Sequence, residues 1–202
     1  MRWEPGRGLI REARHLDRLA RSAAQLGLPH DPRQVRHCLD QIGDAEGPLR
    51  VRLTLRPDGG CELAQQPFEP LAQDAVWTLR IAATGIDPED PLVRHKTTIR
   101  ERYEAARAEY GSGEADEVVM LNTHGMVCEG TITNVFMRAS LGILLTPPLS
   151  AGLLPGILRA ELLEEGTAQE AEITPQDLAK GEIFVGNSLR GLIRARLAGD
   201  EA

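Results

Sequence analysis

The first forty or so residues show two helix-like stretches of hydrophobic and polar positions. Apolar side chains recur every three or four residues between 11 and 26, with charged residues on the opposite face, which predicts an amphipathic helix. Gly27 ends this helix. Asp31 and Pro32 supply a helix cap and a first-turn proline, so a second helix is expected to follow through Ile42.

From residue 48 the spacing of apolar positions changes from helical to strand-like. Apolar residues alternate with arginine and threonine from Leu49 to Leu55, as in a half-buried strand. The turn Pro57-Asp58-Gly59-Gly60 makes residues 49–65 a predicted hairpin, and residues 75–83 are predicted to form a further strand. The acidic, proline-containing stretch 85–91 is predicted to link two subdomains.

The second half mixes strands and helices without the regular alternation of a parallel sheet. Its predicted elements are a helix ending near Tyr110, strands at 117–122, 126–138 and 141–146, a helix from Gly156 to Glu165, a helical turn or two at 175–180, a strand at 183–185 and a final helix from Ser188 to Leu197. We therefore predict an α+β fold with a smaller N-terminal subdomain at 1–88 and a larger C-terminal subdomain at 92–202.

Composition narrows the function classes. The 202 residues carry a net charge of −7 and no long basic run, which argues against nucleic acid and anionic membranes as partners. The longest apolar runs fall short of the roughly 20 residues of a membrane span, and no signal-type start is present. Three cysteines without metal-type spacing favour reduced thiols in the cytoplasm, and the histidines lack ligand spacing, so we expect no metal site.

Two predicted helix starts could bind an anion. Pro155 and Gly156 precede Ile157 and Leu158 at one of them, and the stretch Asn187-Ser188-Leu189 precedes the other. Backbone N–H groups and the helix dipole favour phosphate at such positions. The alternative is two capped helices that bind nothing, and either stretch alone favours that interpretation.

Three charged side chains are candidates for chemistry. Glu129 lies in a predicted strand, where it either faces water at an edge or needs a cationic partner such as a pyridinium nitrogen. Lys96 is one of two lysines among 23 basic residues, and its cationic neighbours would favour a neutral, nucleophilic amine; a surface lysine is the alternative. Arg18 lies on the polar face of the first helix, where a solvated arginine is the simpler interpretation.

A set of short motifs occurs in order between about residues 9 and 197. The motifs are His15-Leu-Asp-Arg18-Leu, Lys96-Thr-Thr-Ile-Arg100, Asp116-Glu-Val, Gly125-Met-Val-Cys-Glu129-Gly-Thr-Ile-Thr-Asn134-Val-Phe, Thr146-Pro-Pro-Leu, Gly152-Leu-Leu-Pro-Gly156-Ile-Leu-Arg159 and Asn187-Ser-Leu. Together they resemble the class IV aminotransferases, a family of pyridoxal-phosphate enzymes that includes branched-chain aminotransferase, D-amino acid aminotransferase and 4-amino-4-deoxychorismate lyase.

The resemblance implies a fold, a cofactor and a site. The implied fold has two subdomains, of the D-amino acid aminotransferase-like type, with pyridoxal 5'-phosphate bound in the C-terminal one. Lys96 matches the lysine that binds the cofactor covalently and moves the substrate's α-proton, Glu129 matches the partner of the ring nitrogen, and Arg18 matches the phosphate-binding arginine. The implied backbone donors to the phosphate are Ile157, Leu158, Ser188 and Leu189. The family also implies a homodimer and an amino-acid-like substrate.

The resemblance is closest to the lyase branch. Arg100 follows Lys96 by four residues and Tyr103 comes shortly after, whereas branched-chain aminotransferases usually carry a tyrosine where this chain has Glu101. The implied reaction converts aminodeoxychorismate to p-aminobenzoate and pyruvate, in folate supply. The alternatives are an aminotransferase acting on branched-chain L- or D-amino acids, and a non-catalytic cofactor-binding protein. The non-catalytic alternative is considered because family members carry a substrate-lining strand before the segment that matches Met1. In this chain that strand is expected to be missing or cut short.

Overall fold

The computed structural model of the protein describes residues 1–139 and 142–199. The strands are β1 (Arg2–Glu4), β2 (Gly8–Ile10), β3 (Leu49–Leu55), β4 (Cys61–Pro67), β5 (Val76–Ile81), β6 (Glu117–Leu121), β7 (Val127–Gly130), β8 (Asn134–Arg138), β9 (Leu144–Thr146), β10 (Ala168–Glu170), β11 (Ile183–Asn187) and β12 (Gly191–Leu197). The helices are α1 (Glu12–Leu26), α2 (Pro32–Leu39), α3 (Glu101–Ala108), α4 (Ile157–Glu164) and α5 (Pro175–Leu178), with 3-10 turns at Pro91–Arg94 and Leu149–Ala151. The predicted α+β class is confirmed.

The chain divides into two compact units, residues 1–70 and the chain from Leu71 onward. The first unit contains an antiparallel sheet in the order β2-β1-β3-β4, together with α1 and α2. Its hairpin was predicted correctly, since β3 and β4 pair from Leu49 opposite Pro67 to Leu55 opposite Cys61. The Asp31 side chain accepts a hydrogen bond from the Arg33 N–H and caps α2, as the sequence indicated.

The second unit is built on an eight-stranded sheet in the order β10-β9-β8-β11-β12-β5-β6-β7. An additional pairing of β7 with β8 closes six of these strands, from β8 to β7, into a ring. A cluster of fully or almost fully buried side chains draws on all six ring strands and includes Leu79, Val119, Val127, Val135, Val185 and Ile193. This apolar cluster fixes the strand ends from which the loops described below emerge. Among the described residues, no helix is long and apolar enough to cross a membrane.

The boundary between the units differs from the predicted linker at 85–91. Strand β5 precedes that linker in sequence, yet it pairs in parallel with β6 and β12 inside the large sheet. The division therefore falls between Pro70 and Leu71. The predicted subdomain 1–88 was too long, because the pairing partners of β5 lie far away along the chain.

The predicted final helix from Ser188 to Leu197 was wrong. Residues 191–197 form β12, which pairs antiparallel with β11 and parallel with β5. Its apolar and basic residues alternate, and this period of two suits a strand between two partners. Residues 188–190 form the hairpin turn, and Gly191 adopts a φ of 80°, which a side chain would disfavour.

The predicted strand 126–138 is two strands, β7 and β8, joined by a turn at residues 131–133. The backbone N–H of Gly130 donates to the carbonyl of Thr133 across this turn at 2.8 Å. The predicted strand at 141–146 corresponds to β9, and its first residue, Leu141, lies outside the described residues.

Candidate active site

The carboxylate of Glu129 lies at the centre of the candidate site. Glu129 is in β7 and is only 4% exposed. The hydroxyl of Tyr103 donates to Glu129 Oε1 at 2.8 Å, and the backbone N–H of Leu154 donates to Oε2 at 3.2 Å. Each carboxylate oxygen therefore has a donor, one from α3 and one from the loop before α4. Of the two sequence interpretations, the buried carboxylate is confirmed and the water-facing one is wrong.

Burial raises the pKa of Glu129 to about 7, because the charged form loses water contact. The hydrogen bonds from Tyr103 and Leu154 and the charge of Lys96 oppose this rise, whereas the charge of Glu117 adds to it. The same region raises the pKa of the Cys128 thiol to about 12, first through burial and then through the charge of Glu129. Cys128 is therefore protonated at neutral pH, and Glu129 is close to its titration midpoint.

Lys96 follows the 3-10 turn Pro91–Arg94 and is exposed. Its ammonium acts electrostatically on Glu129 and lowers the pKa of that carboxyl. The segment is held in place by Asp90, whose side chain accepts from the Leu92 N–H and pairs with Arg102 of α3. Lys96 and Glu129, which are 33 positions apart in the sequence, are thus brought into one electrostatic environment.

Glu117 is a buried carboxylate whose role the sequence analysis did not identify. It begins β6, is 0% exposed, and accepts hydrogen bonds from the 131–133 turn. The bonds come from Thr131 N at 3.0 Å, Thr131 Oγ1 at 2.5 Å, Ile132 N at 3.1 Å and Thr133 Oγ1 at 2.8 Å. These four hydrogen bonds, called the Glu117 clamp below, hold the turn that separates β7 from β8 within the predicted long strand. A carboxylate at the head of the apolar run Glu117-Val-Val-Met-Leu was the available signal.

The start of α4 is an uncapped helix N-terminus. Gly156 occupies the cap position with extended backbone, and no side chain caps the helix, which begins at Ile157 and continues through Leu158. The first N–H groups of a helix have no partners within the helix, and they carry the positive end of its dipole. Asn134 holds the preceding loop, since its Nδ2 donates to the carbonyl of Leu154 at 3.0 Å. The predicted helix start is confirmed and has the form of an anion-binding site.

The second predicted helix start is the turn of the β11–β12 hairpin. The side-chain oxygen of Asn187 accepts from the N–H groups of Leu189 and Arg190, both at 3.0 Å. The N–H of Leu189 donates within the turn in this structure, and its assignment as a phosphate donor stays a prediction. Ser188 lies at the first turn position and is half-buried. No helix starts at Ser188, because the residues that follow the turn pair with β11 and with β5 as strand β12.

Arg18 lies on α1 in the first unit and is half-buried. Burial, and then the charge of Arg21, lower the pKa of its guanidinium to about 10, and no carboxylate is among the groups that shift it. A partly desolvated arginine of this kind is suited to an anionic partner. The interpretation of Arg18 as a fully solvated arginine is therefore wrong, because the side chain is half-buried.

The comparison with protein families decides the identity of the chain. A family model described as Amino-transferase class IV matches residues 1–198.

The chain belongs to the class IV aminotransferases.

Several individual proteins are similar to this member of the family. A solved structure from Mesorhizobium loti, provisionally named an amino-acid aminotransferase, is 50% identical with a TM-score of 0.95, covering 98% of this chain and 97% of that one. A Schizosaccharomyces pombe protein, provisionally named an aminodeoxychorismate lyase, is 30% identical over 91% of this chain and 82% of its own length. The structure of 4-amino-4-deoxychorismate lyase from Pseudomonas aeruginosa is 26% identical with a TM-score of 0.75, over 92% of this chain and 77% of that one.

This class IV aminotransferase is a pyridoxal-phosphate-dependent enzyme, as its family is. The residues present fit the cofactor. A buried carboxylate near its titration midpoint suits a ring nitrogen, and the uncapped start of α4 suits a phosphate. The predicted family, fold and cofactor are confirmed, and the non-catalytic alternative is wrong.

Proposed function

We propose that the protein is a 4-amino-4-deoxychorismate lyase, which converts aminodeoxychorismate to p-aminobenzoate and pyruvate. The reaction is a cleavage in which the enolpyruvyl group leaves as pyruvate and the ring becomes aromatic. Pyridoxal phosphate supplies an electron sink for such chemistry when bound. The coarser assignment, a pyridoxal-phosphate enzyme of the class IV family, holds whichever reaction the chain performs.

The observation that carries the lyase proposal is the sequence spacing of Lys96 and Arg100, which resembles that of the lyases. The guanidinium of Arg100 donates to the carbonyl of Thr131 at 2.7 Å and lies 4.9 Å from the centre of the Tyr103 ring. These contacts place Arg100 next to the surroundings of Glu129, which both candidate reactions use, so the lyase proposal relies on the sequence spacing rather than on the contacts. The sequence similarity to the Schizosaccharomyces pombe protein, over 91% of this chain, supports the same branch.

In this proposal the site residues divide by the part of the cofactor they hold. Lys96 holds the cofactor covalently through its amine and moves a proton at the substrate's α-carbon. The carboxylate of Glu129 accepts from the ring nitrogen and keeps a proton there. The N–H groups of Ile157, Leu158 and Leu189, together with Ser188, bind the phosphate. The family resemblance assigns Arg18 to the phosphate as well.

The second candidate is an aminotransferase acting on branched-chain L- or D-amino acids. The Mesorhizobium loti structure, at 50% identity, carries an aminotransferase name and favours it. A Thermotoga maritima protein provisionally named a branched-chain-amino-acid aminotransferase is 28% identical over 70% of this chain and 51% of its own length. Both reactions use the same lysine and glutamate, so Lys96 and Glu129 do not distinguish a lyase from an aminotransferase.

Pyruvate release separates the two candidates. Purified holoenzyme is given aminodeoxychorismate with and without an added 2-keto acid, and pyruvate and p-aminobenzoate are measured over many turnovers. Steady formation of both products without a keto acid supports the lyase. Transfer of an amino group from a branched-chain amino acid to a keto acid, with no cleavage of aminodeoxychorismate, overturns the lyase proposal and supports the aminotransferase.

The assignment of Lys96 has its own test. After borohydride reduction of the holoenzyme, peptide mass analysis is expected to find the pyridoxyl group on the peptide that contains Lys96. Lys96→Ala is expected to abolish turnover, whereas Lys180→Ala, which removes the chain's other, exposed lysine, is the matched control and should keep it. A pyridoxyl group on Lys180 would overturn the assignment.

We also propose that the protein acts in the cytoplasm as a homodimer, as the family resemblance implies. Light scattering on the eluting protein measures the mass in solution. A mass of one 22.1 kDa chain across the micromolar range would contradict the dimer.

A further inference from the structure

Tyr103 is placed to control the Glu129 carboxylate. It lies in α3, is half-buried, and donates its hydroxyl proton to Glu129 Oε1 at 2.8 Å. The other oxygen, Oε2, accepts from a backbone N–H, that of Leu154. The hydrogen bond from Tyr103 comes from a side chain, so a single substitution can remove it while leaving the backbone unchanged.

Arg100 holds the Tyr103 ring in this position. Its guanidinium lies 4.9 Å from the ring centre and donates to the carbonyl of Thr131 at 2.7 Å. Thr131 belongs to the turn that directly follows β7, the strand that carries Glu129. Arg100 thus connects the Tyr103 ring to this turn. The Tyr103 hydroxyl and the Glu129 carboxylate are therefore both positioned by the backbone of β7 and the turn that follows it.

We infer that Tyr103 is a positioning residue for Glu129: its hydroxyl orients the carboxylate and keeps it ionised, so that it can accept from the nitrogen of the cofactor ring. The inference rests on the role of Glu129 in the proposed function, but it holds equally for a lyase and for an aminotransferase. The inference also assigns Arg100 a structural role that does not involve the substrate. Arg100 positions the Tyr103 ring, and the Tyr103 hydroxyl positions the carboxylate.

The charges around the carboxylate set the direction of the effect. Lys96 and the two hydrogen bonds favour the ionised form of Glu129, whereas burial and Glu117 oppose it. Tyr103 remains a phenol, because burial and the Glu129 charge raise its own pKa well above the usual range, against the opposing charges of Arg102 and Arg100. Removing the hydroxyl leaves Oε1 without this donor, so Glu129 is expected to take up a proton at higher pH.

The chain supplies its own matched control. It contains two tyrosines, and the second, Tyr110, donates to the carbonyl of Ile81 and stacks against Arg80 rather than contacting Glu129. Tyr103→Phe and Tyr110→Phe therefore make the same chemical change near the same helix. Only the first removes a donor to the carboxylate.

The readout is the infrared carbonyl band of the protonated Glu129 carboxyl, assigned by its loss in Glu129→Gln and followed against pH. It is recorded on the full chain with the cofactor bound and again after the cofactor is removed. Tyr103→Phe is expected to raise the midpoint by about one pH unit, and Tyr110→Phe should leave it unchanged. In the holoenzyme, the pH midpoint of the cofactor's absorbance should move in the same direction.

A second variant covers the case in which Tyr103→Phe does not fold. In the Tyr110→Phe background, fluorotyrosine labelling modifies Tyr103 alone, keeps its shape, and makes its hydroxyl a stronger donor. The Glu129 midpoint is then expected to fall. An unchanged midpoint in either the Phe or the fluorotyrosine protein overturns the inference. Because the cofactor-free readout needs no substrate, it stands apart from the outcome for the lyase reaction.

Discussion

The side-chain amide of Asn187 donates to the backbone carbonyl of Ile132 at 3.1 Å, and this bond ties the β11–β12 turn to the β7–β8 turn. On the far side of the β7–β8 turn, Asn134 holds the loop before α4. Three loops at one end of the large sheet are thus joined by two asparagines. Each of these loops contains or adjoins one part of the candidate site: Glu129, the start of α4 or Ser188. The two asparagine hydrogen bonds therefore fix these three parts relative to one another.

Asn187→Asp separates the two uses of the Asn187 side chain. Aspartate keeps an acceptor for the N–H groups of Leu189 and Arg190, but it has no donor for the carbonyl of Ile132. We expect a loss of about 1 kcal/mol in unfolding free energy and faster amide exchange around residues 131–133. Asn187→Ala should cost more, because it also removes the turn bonds. Equal stabilities of the two variants, measured by urea unfolding, would contradict this division.

Replacing Glu117 is expected to be among the most damaging single changes in the large unit. Glu117→Gln turns an acceptor into a donor that faces the N–H and hydroxyl groups of the 131–133 turn. The expected loss of unfolding free energy is at least about 3 kcal/mol, since several buried donors lose a charged acceptor.

Glu109 is the matched control for Glu117. Glu109 also accepts several hydrogen bonds, in its case three, from Ala83 N, Thr84 N and Thr84 Oγ1. It is exposed, so water can replace the lost acceptor. Glu109→Gln should therefore cost much less than Glu117→Gln in the same urea titration. Similar losses would mean that burial is not what makes the Glu117 clamp strong.

The sequence predicted the parts of this protein that depend on local patterns. The helix from residue 12, the β3–β4 hairpin and the start of α4 each follow from periodicity, turn residues or capping within a few positions. The motif set identified the family, and the roles that it implies for Lys96 and Glu129 stay predictions. The final strand was predicted as a helix, and one of its two partners, β5, lies 118 positions earlier, with Arg194 opposite Val76. The 131–133 turn was missed because it depends on Glu117. The alternation of apolar and basic residues in β12 was a local signal for a strand, whereas the hydrogen bonds from the 131–133 turn to Glu117 have no local signal.

Gly156 is required by the side chain of Asn134. A Cβ at position 156 would lie 1.9 Å from Asn134 Oδ1, although the backbone there, with φ −66° and ψ 145°, is open to any residue. Gly156→Ala must therefore displace Asn134 and break its bond to Leu154, at a cost of roughly 1–3 kcal/mol. Pyridoxal phosphate should also bind more weakly, because the start of α4 moves.

Gly85→Ala is the control for Gly156→Ala, since its added Cβ meets only the carbonyl of Leu121, at 3.6 Å. The double variant Gly156→Ala/Asn134→Ala keeps the added Cβ but removes the side chain that it meets, so it should lose less stability than the sum of the single changes. Strict additivity in chemical denaturation would show that the two residues do not compete for the same space.

The buried carboxylate of Glu129 should make the cofactor-free protein less stable as the pH rises from about 4.5 to about 7. The pKa of Glu129 is raised from 4.5 to about 7 in the folded chain. The unfolded chain therefore releases this proton first, so the contribution of Glu129 to stability is complete below pH 4.5 and is lost as the pH passes 7. A difference of this size corresponds to about 3 kcal/mol.

Glu129→Gln removes this titration and should flatten the pH dependence of unfolding over that window, when both proteins are unfolded in urea at each pH. Glu109 supplies a control of opposite sign, because a hydrogen bond from Thr84 lowers the pKa of its carboxyl. Its contribution is present above the pKa of the unfolded chain, about 4.5, and is lost in acid. Glu109→Gln should therefore remove a rise of stability with pH below 4.5 and leave the window from 4.5 to 7 unchanged. Parallel pH profiles for Glu129→Gln and the parent chain would mean that Glu129 is not buried as a titrating group in solution.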